Sequence, residues 1–404
     1  MTLLQKTIWF PLLSSFLIAA IFLVGCEDQG DASEASNQEA SAETETYDVG
    51  IIRWDPADIY FNGVQLGQEL ERQRIEEEEN VEINFKVFGA NDASEQRSAL
   101  DAQVAQGVDG VALVPWRGKA MRESIKKLRS RQIPTVVSNA WVPDAQQVFV
   151  SFGNEQAGRL AGEAIVDRLE ALRGDNWAQE GGVIIELRCI ITASFDISRH
   201  NGYRSVFDPI AEQHENLSIV TEEAGCDGGK ARNAVDDIIS RYGSDQVLAV
   251  ASIDGTMAVG GAVSALDTRD MLHPKDDSRH IPISTIDGTV PELRALSEGK
   301  IDHVSVQPAV GEGIMTMRLL YRMMKSGESF IAEEDAESMS GDELWMPVQV
   351  ASSDGFEGPW FKTSVYTIPG DVSPSNPKIW SNRLHKRENG SLPDYASEAT
   401  ASAN

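Results

Sequence analysis

Two short, nearly identical segments place an aspartate where a ligand could bind. Ser252–Gly261 begins Ser-Ile-Asp-Gly-Thr, and Thr285–Thr289 reads Thr-Ile-Asp-Gly-Thr. Each follows an apolar run typical of a buried strand and precedes a helical pattern, so Asp254 and Asp287 fall at strand ends. Ligands bind outside the carboxyl ends of strands in open parallel sheets. The repetition favours an acceptor-rich cleft, although a single Asp-Gly-Thr segment is also a good turn and helix cap.

Sequence motifs for catalysis and for metal binding are missing. Gly225–Lys230 lacks the spacing of a phosphate-binding loop and has no Ser or Thr after the lysine. No Gly-x-Ser-x-Gly segment occurs, and the six histidines show no metal-ligand spacing. The paired aspartates of a phosphatase signature are also absent, because Ser252 and Thr285 stand where the first aspartate is needed. We therefore expect no enzyme, no catalytic residue, no metal and no cofactor.

Aromatic residues near polar groups follow three other apolar runs, and this pattern is typical of sugar recognition. Trp54–Phe61 combines three aromatic rings with two aspartates, Trp116 follows Pro115, and Asn139 precedes Trp141. An aromatic face can stack on the C–H surface of a sugar while a carboxylate accepts hydrogen bonds from its hydroxyls. We expect Trp116 to contact a ligand. Packing of these rings in a core or lid is the alternative that the residues leave open.

The net charge of the chain makes nucleic acid an unsuitable partner. The 404 residues include 35 Lys and Arg against 63 Asp and Glu, a formal charge of −28. Phosphate backbones would be repelled by such a surface. The length suits two domains better than one.

The first 26 residues have the pattern of a lipoprotein signal peptide. Lys6 precedes an apolar run from Ile8 to Val24, and the run ends at Leu23–Cys26, which resembles a lipobox. Cys26 would then be acylated and become the mature N-terminus, with an uncleaved membrane anchor as the alternative. Both readings place the rest of the chain outside the cytoplasm. Residues 27–46, acidic and without Lys or Arg, are expected to be a disordered tether.

Two cysteines remain once Cys26 is assigned to lipid. Cys189 and Cys226 each follow a strand-like run. An even pair in an oxidising compartment predicts a disulfide between them.

The folded part alternates strand and helix patterns at a spacing near thirty residues. This alternation predicts parallel sheets covered by helices, in two α/β units at about Tyr47–Ser151 and Phe152–Val306. The pattern fails from Ser352, where Gly, Pro, Ser and Asn dominate. We expect residues 357–404 to form an irregular extension that packs through Trp360, Phe361, Tyr366 and Trp380, and the end from Leu384 to be disordered.

The motifs between about Val49 and Val350 together resemble a family, the periplasmic sugar-binding proteins of the ribose/galactose type, which are solute receptors of ABC transporters. The motifs that carry the resemblance are Tyr60-Phe61 with Gly67, Gly107–Gly110 before Pro115, Ile133-Pro134 before Asn139, Gly153-Asn154 with Gly158, Arg199 before Gly202-Tyr203, Asp254 before Met257-Ala258, Ile286–Gly288, and Gln307.

The resemblance implies a ligand site built from both lobes. In the first lobe it assigns stacking to Tyr60 and Phe61 with Asp58 beside them, and hydroxyl binding to Asn139. In the second lobe it assigns contacts with the ring oxygen and hydroxyls to Arg199, Asp254, Asp287 and Gln307. An arginine next to two acids also lowers the cost of burying both charges.

Departures from the family pattern concern the identity of the sugar. Asn139 replaces the usual aspartate, Ala140 replaces the arginine that commonly follows it, and Cys226 stands where ribose receptors carry an aromatic residue. These changes would suit a different monosaccharide, a sugar alcohol or another polyol. The segment after Gly355 has no counterpart in compact family members.

The resemblance further implies two Rossmann-like lobes with parallel sheets, joined by three crossings of a hinge. We expect the crossings near 151–154, 305–309 and 343–348. The first lobe would contain 47–151 and 308–344, and the second 152–307 and 345–356. The closed form of a monomeric receptor would be presented to an ABC permease. A receptor that feeds a chemoreceptor or sensor kinase is the alternative, whereas a repressor lacks a place for its DNA-binding helices here.

Overall fold

Two mostly parallel sheets with helices on both sides form the described part of the chain, residues 44–54 and 58–395 of a computed structural model. The strands, in chain order, are β1 (Glu45–Arg53), β2 (Val81–Gly89), β3 (Gly110–Leu113), β4 (Thr135–Ser138), β5 (Val148–Phe152), β6 (Gly182–Arg188), β7 (Leu217–Glu223), β8 (Val247–Ser252), β9 (Ile283–Asp287), β10 (His303–Val306), β11 (Gln349–Ala351), β12 (Trp360–Thr363) and β13 (Tyr366–Ile368).

The helices alternate with these strands as the sequence pattern predicts. They are α1 (Ile59–Glu79), α2 (Ala93–Ala105), α3 (Gly118–Ser130), α4 (Asn154–Arg173), α5 (Trp177–Glu180), α6 (Ser194–Ala211), α7 (Gly228–Tyr242), α8 (Ser264–Thr268), α9 (Val290–Ser297), α10 (Ala309–Ser326) and α11 (Trp380–Asn389). A π-helical segment, Met257–Val263, leads directly into α8. Among the described residues, no helix is sufficiently long and apolar to span a membrane.

Each sheet defines one lobe. The first lobe has the strand order β11-β12-β5-β4-β3-β1-β2 and is covered by α1, α2, α3 and α10. The second has the order β13-β10-β9-β8-β6-β7 and is covered chiefly by α4, α6 and α7. Among the strands of the described residues, only β11 and β13 run antiparallel to a neighbour. The central strands are buried along their length, as in sheets that carry helices on both faces.

Glycines let one pair of helices in each lobe approach at backbone distance. In the first lobe a Cβ on Gly67 would lie 2.1 Å from the carbonyl oxygen of Val310, which joins α1 to α10. In the second lobe a Cβ on Gly158 would lie 2.1 Å from the carbonyl oxygen of Arg199, which joins α4 to α6. Only glycine fits at such contacts. These contacts fix the helix starts that carry the candidate site residues.

The chain passes between the lobes at 152–154, 306–309 and 363–366. The first two crossings lie where the sequence predicts them. The third was expected at 343–348, and this is wrong: β11 and β12 both join the first sheet, β12 parallel to β5. Residues 349–351 therefore do not belong to the second lobe, to which the sequence assigned 345–356. Strands of three and four residues between glycines and prolines give too weak a pattern to predict.

The C-terminal segment is more regular than the sequence indicates. Residues 357–395 contain β12, β13 and α11, and Leu384 is buried rather than disordered. At the other end, Glu45 and Thr46 begin β1, although both were assigned to the tether. The signal peptide, the lipid attachment site Cys26, residues 27–43 of the tether and residues 396–404 lie outside the described residues.

Candidate ligand-binding site

The start of α1 presents three of the predicted residues at the strand-end edge of the first lobe. Asp58 is exposed and caps the helix, since its Oδ1 accepts a hydrogen bond from the backbone N–H of Tyr60 at 2.9 Å. This cap begins the helix with Tyr60 and Phe61 directed into the protein, and both are buried.

Arg199 is the centre of a buried hydrogen-bond network in the second lobe. It is 2% exposed, and its Nε donates to Asn154 Oδ1 at 2.8 Å. Nη1 donates to the Ile253 carbonyl at 2.7 Å and to Asp287 Oδ1 at 3.2 Å, while Nη2 donates to Gln307 Oε1. Four acceptors hold the guanidinium in one orientation, which compensates for its removal from water.

Two aromatic rings also flank this guanidinium. The Cζ atom of Arg199 lies 5.4 Å from the ring centre of Phe152 and 5.2 Å from that of Phe195. Phe152 ends β5 at the first hinge crossing, and Phe195 lies in the first turn of α6. Contacts of this type favour a desolvated cation.

The two aspartates of the repeated segment have different environments. Asp287 accepts from Arg199 through Oδ1 and from the Gly255 backbone N–H through Oδ2 at 3.1 Å. Asp254 accepts only the Met257 backbone N–H, at 3.1 Å, among the hydrogen bonds of the described residues, and so caps the next helical segment. Burial, followed by the charge of Asp287, raises the pKa of Asp254. Burial also raises the pKa of Asp287, against the opposing effect of Arg199.

A buried network centred on Gln307 connects the two lobes. Gln307 Nε2 donates to the Tyr60 hydroxyl at 2.6 Å and to Asn139 Oδ1 at 3.1 Å. The Tyr60 hydroxyl donates to Glu312 Oε2, and the Phe152 N–H donates to Glu312 Oε1 at 3.1 Å. The resemblance assigned ring stacking to Tyr60, whereas the structure engages its hydroxyl in this network.

Glu312 also belongs to this network, although the sequence does not single it out as a site residue. It lies in the first turn of α10, directly after the second crossing, and is fully buried. Burial raises the pKa of Glu312 to about 7, and the hydrogen bonds from Tyr60 and Gln307 oppose the shift. The available signal was a single acidic residue in the otherwise apolar and glycine-rich start of that helix.

Trp54 organises the first-lobe wall and was also not among the predicted site residues. Its ring centre lies 5.1 Å from Phe61, 4.6 Å from Trp116 and 6.1 Å from Phe195 of the other lobe. Trp54 is 6% exposed, and its Nε1 has no hydrogen-bond partner among the described residues. A buried indole N–H without an acceptor is costly, so it is a natural donor for a ligand oxygen.

The structure brings most of the predicted residues together. Tyr60, Asn139, Arg199, Asp287 and Gln307 form one continuous hydrogen-bond network. Of the others, Phe61 contacts Tyr60 and Trp54, half-buried Trp116 contacts Trp54, and the charge of Asp58 in the first lobe raises the pKa of Asp254 in the second.

Cys189 and Cys226 are joined by a disulfide, with Cα atoms 4.4 Å apart. The bond connects the loops that follow β6 and β7, at the strand-end edge that also carries the start of α6. The backbone N–H of Cys189 donates to buried Asp196 at 2.8 Å. The disulfide therefore links two loops of the second lobe at the sheet edge where α6, the helix that carries Arg199, begins.

Residues 49–329, well over half of the chain, match the family described as periplasmic binding protein domain. A xylitol-binding protein of Mycolicibacterium smegmatis is 24% identical over 273 residues, which cover 67% of this chain and 70% of the relative. A D-xylose-binding periplasmic protein of Escherichia coli is 23% identical over 224 residues, which cover 54% of this chain and 62% of the relative.

The fold is shared with solved structures at low sequence identity. A carbohydrate transporter solute-binding protein from Agrobacterium radiobacter, solved in complex with D-arabinose, is similar with a TM-score of 0.63 and 18% identity. The similarity covers 84% of this chain and 98% of that protein.

Proposed function

The chain belongs to the periplasmic binding protein family, a family of binding proteins that act outside the cytoplasm, and on this premise we propose that it captures a neutral monosaccharide or related polyol between its two lobes. The observation that carries the proposal is the difference between the two lobes: charged residues on the second lobe and an aromatic residue on the first. The second lobe presents Arg199, Asp254 and Asp287, while the first presents Trp54, whose indole N–H has no acceptor among the described residues.

This arrangement matches the surface of a sugar or polyol. Such a molecule has hydroxyls that donate to carboxylates on one side and C–H groups that pack on aromatic rings on the other. Its oxygen atoms also accept hydrogen bonds, which the Trp54 Nε1 and an arginine can supply. We assign ligand contacts to Asp58, Phe61, Trp116, Arg199, Asp254 and Asp287, and to Trp54. Tyr60, Asn139 and Gln307 are assigned to the part of the site nearest the hinge.

The charge balance of the site favours a neutral ligand over an anionic one. Arg199 pairs with Asp287, whereas Asp254 is influenced by the negative charges of Asp287 and Asp58, and buried Glu312 adjoins the same network through Gln307. Sugar phosphates and sugar acids would bring further negative charge into a buried site, where an unpaired charge is expensive.

A panel of ligands tests this proposal. D-xylose, xylitol, D-ribose, D-arabinose and myo-inositol are added to the protein at increasing concentrations, with D-ribose 5-phosphate as the anionic control. At one hundred times the dissociation constant, a bound ligand stabilises the native state by about 2.7 kcal/mol, which is readily seen in a thermal scan. We expect at least one neutral member to raise the melting temperature and the phosphate to leave it unchanged. A panel without any shift, or a shift with the phosphate alone, contradicts the proposal.

The same proposal extends to transport. The three crossings at 152–154, 306–309 and 363–366 allow the lobes to close on the ligand as a hinge, and the closed monomer would deliver it to an ABC permease. Acylation of Cys26 would keep the protein at the membrane. Labelling with an alkyne fatty acid in the producing cell tests this: incorporation that Cys26→Ala abolishes supports the anchor, and incorporation that persists contradicts it.

A further inference from the structure

The C-terminal helix α11 contacts the backbone that carries Asp287. The Trp380 Nε1 donates to the carbonyl oxygen of Asp287 at 2.9 Å, and the Ser381 hydroxyl donates to the carbonyl oxygen of Gly288 at 2.6 Å. Both side chains are almost fully buried, at 2% and 1% exposure. Two consecutive carbonyl groups at the end of β9 are therefore satisfied by a segment that follows in the chain by more than ninety residues.

The same helix is fixed on the first lobe. A Cβ on Gly63 of α1 would lie 2.6 Å from the ring of Trp380, so the indole packs directly on that helix. The ring centres of Trp380 and Tyr60 are 6.2 Å apart and nearly perpendicular. Farther along, Arg387 pairs with Glu69 at 3.1 Å. The helix thus contacts both lobes, α1 of the first and the Asp287–Gly288 turn of the second.

The backbone at this turn needs such support. Asp287 has a φ of 147°, a conformation that residues with a Cβ rarely adopt, and Gly288 follows with a φ of 84°. A backbone of this kind persists only where the surroundings hold it. Besides the two bonds from α11, the Gln307 N–H donates to the Asp287 carbonyl oxygen at 3.2 Å. The unusual φ directs the carboxylate toward Arg199 and Gly255.

We infer that Trp380 and Ser381 are positioning residues of the ligand site, which act through Asp287 and Gly288 rather than by touching the ligand. The effect on affinity rests on the proposed function, whereas the effect on the turn does not. The alternative is that α11 only covers apolar surface. In that case the ring of Trp380 would matter and its N–H would not.

Two substitutions separate these roles. Trp380→Phe keeps an aromatic ring on Gly63 and removes the N–H, and Ser381→Ala removes the hydroxyl. Arg387→Gln is the control, because it changes an exposed ion pair on the same helix. Hydrogen–deuterium exchange is measured on the ligand-free proteins for peptides spanning 252–258 and 283–296. The first peptide contains the Gly255 N–H that binds the Asp287 carboxylate.

We expect faster exchange in both peptides for Trp380→Phe and Ser381→Ala, and wild-type exchange for Arg387→Gln. For every neutral panel member that binds the wild type, each of the two variants should weaken binding by about tenfold, consistent with the loss of one hydrogen bond and a looser turn. Wild-type exchange at 252–258 and 283–296 in both variants overturns the inference, even if their melting temperatures fall.

The two proposals fail in different ways. If the wild type binds no member of the panel, the proposed function fails while the exchange comparison still decides the role of α11. If Trp380→Phe does not fold, Ser381→Ala carries the same comparison. Binding that is unchanged in the variants, despite faster exchange, overturns the assignment of these residues to the ligand site.

Discussion

The two sides of the proposed ligand site differ in what holds their side chains in place. We call the Arg199–Asp287 side the second wall and the aromatic side around Trp54 the first wall. In the second lobe, Arg199 is held by four acceptors, and Asp287 is held by Arg199 and Gly255. In the first lobe, Trp54 packs against Phe61 and Trp116 in an apolar cluster, and its Nε1 has no hydrogen-bond partner in the described chain.

This difference indicates separate roles for the two sides in binding a ligand. A saturated charged network fixes the orientation of its groups before the ligand arrives, so little reorganisation is needed on binding. In the proposed site, the aromatic residues of the first lobe would accept ligands with a suitable apolar face, and the Trp54 indole would add one directed hydrogen bond. We therefore expect changes in the second wall to affect both stability and binding, and changes in the first wall to affect mainly binding.

The largest effect should come from Arg199→Met. It leaves Asp287 buried without its cationic partner and removes donors from Gln307 and Asn154. We expect a loss of about 3–5 kcal/mol in the free energy of unfolding, together with loss of ligand binding. Arg159→Met is the control, because its ion pair with Glu163 is exposed and worth less than about 1 kcal/mol. Denaturant titration measures both, and similar losses in the two variants would contradict the central role of Arg199.

Asp287→Ala should abolish ligand binding in a protein that still folds, although with lower stability because buried Arg199 loses its anionic partner. We expect the far-UV circular dichroism spectrum of the wild type and a drop in affinity of more than about a hundredfold, since a charged acceptor is removed from the site. Asp208→Ala, at an exposed ion pair of α6, is the matched control and should bind normally. Calorimetric titration with the neutral panel measures the affinities, and wild-type affinity in Asp287→Ala would remove this residue from the site.

We expect the stability to depend on pH through Glu312, which contacts Tyr60 and Gln307. Its pKa is about 7 in the folded protein against an ordinary 4.5, so the folded state binds the proton more tightly. The resulting stabilisation is complete below about pH 4.5 and is lost as the pH rises through about 7, with a slope of at most about 1.4 kcal/mol per pH unit.

Glu312→Gln should flatten this part of the profile. Buried Glu292, whose pKa is also about 7, contributes with the same sign and remains in the variant. Tyr60, Gln307, Arg199 and the Phe152 N–H face Glu312 and favour its charged form. Denaturant titrations from pH 4.5 to 8 measure the slope, with exposed Glu163→Gln as control. A profile identical to that of the wild type would contradict the assigned environment.

The smallest effect concerns the first wall. Trp54→Phe keeps an aromatic ring and removes the unpartnered N–H, so we expect the free energy of unfolding to change by less than about 1 kcal/mol and the affinity to fall by about tenfold. Trp177→Phe alters a buried tryptophan of α5, which precedes the start of β6 rather than following a strand end, and it should leave affinity unchanged. Unchanged binding in Trp54→Phe would mean that the indole does not donate to the ligand.

Much of this arrangement could be predicted from local patterns. The apolar runs and caps around Asp254 and Asp287 fix both residues at strand ends, and parallel strands bring such ends to one edge. Arg199 and Gln307 were found through the resemblance, since nothing in their own spacing indicates that their side chains meet.

Other features depend on contacts between distant segments and leave little trace in the sequence. Short β11 and β12 gain their place from pairing with β5, so the third crossing was misplaced. The sequence predicts only packing for Trp380 and no role for Glu312, because the contacts of each depend on tertiary neighbours, Asp287 for the first and Tyr60 for the second. The stacking role of Tyr60 comes from the resemblance, and the residue type alone does not reveal that its hydroxyl donates to Glu312.

The most direct test of the two-walled site is a crystal structure with the panel member that stabilises the protein most. We expect one ligand between the lobes, with a ligand hydroxyl on the Asp287 carboxylate, an oxygen accepting from Trp54 Nε1, and a C–H face against the rings of the first wall. A ligand bound elsewhere on the protein, or one in the cleft that contacts neither Asp287 nor Trp54, would contradict the account.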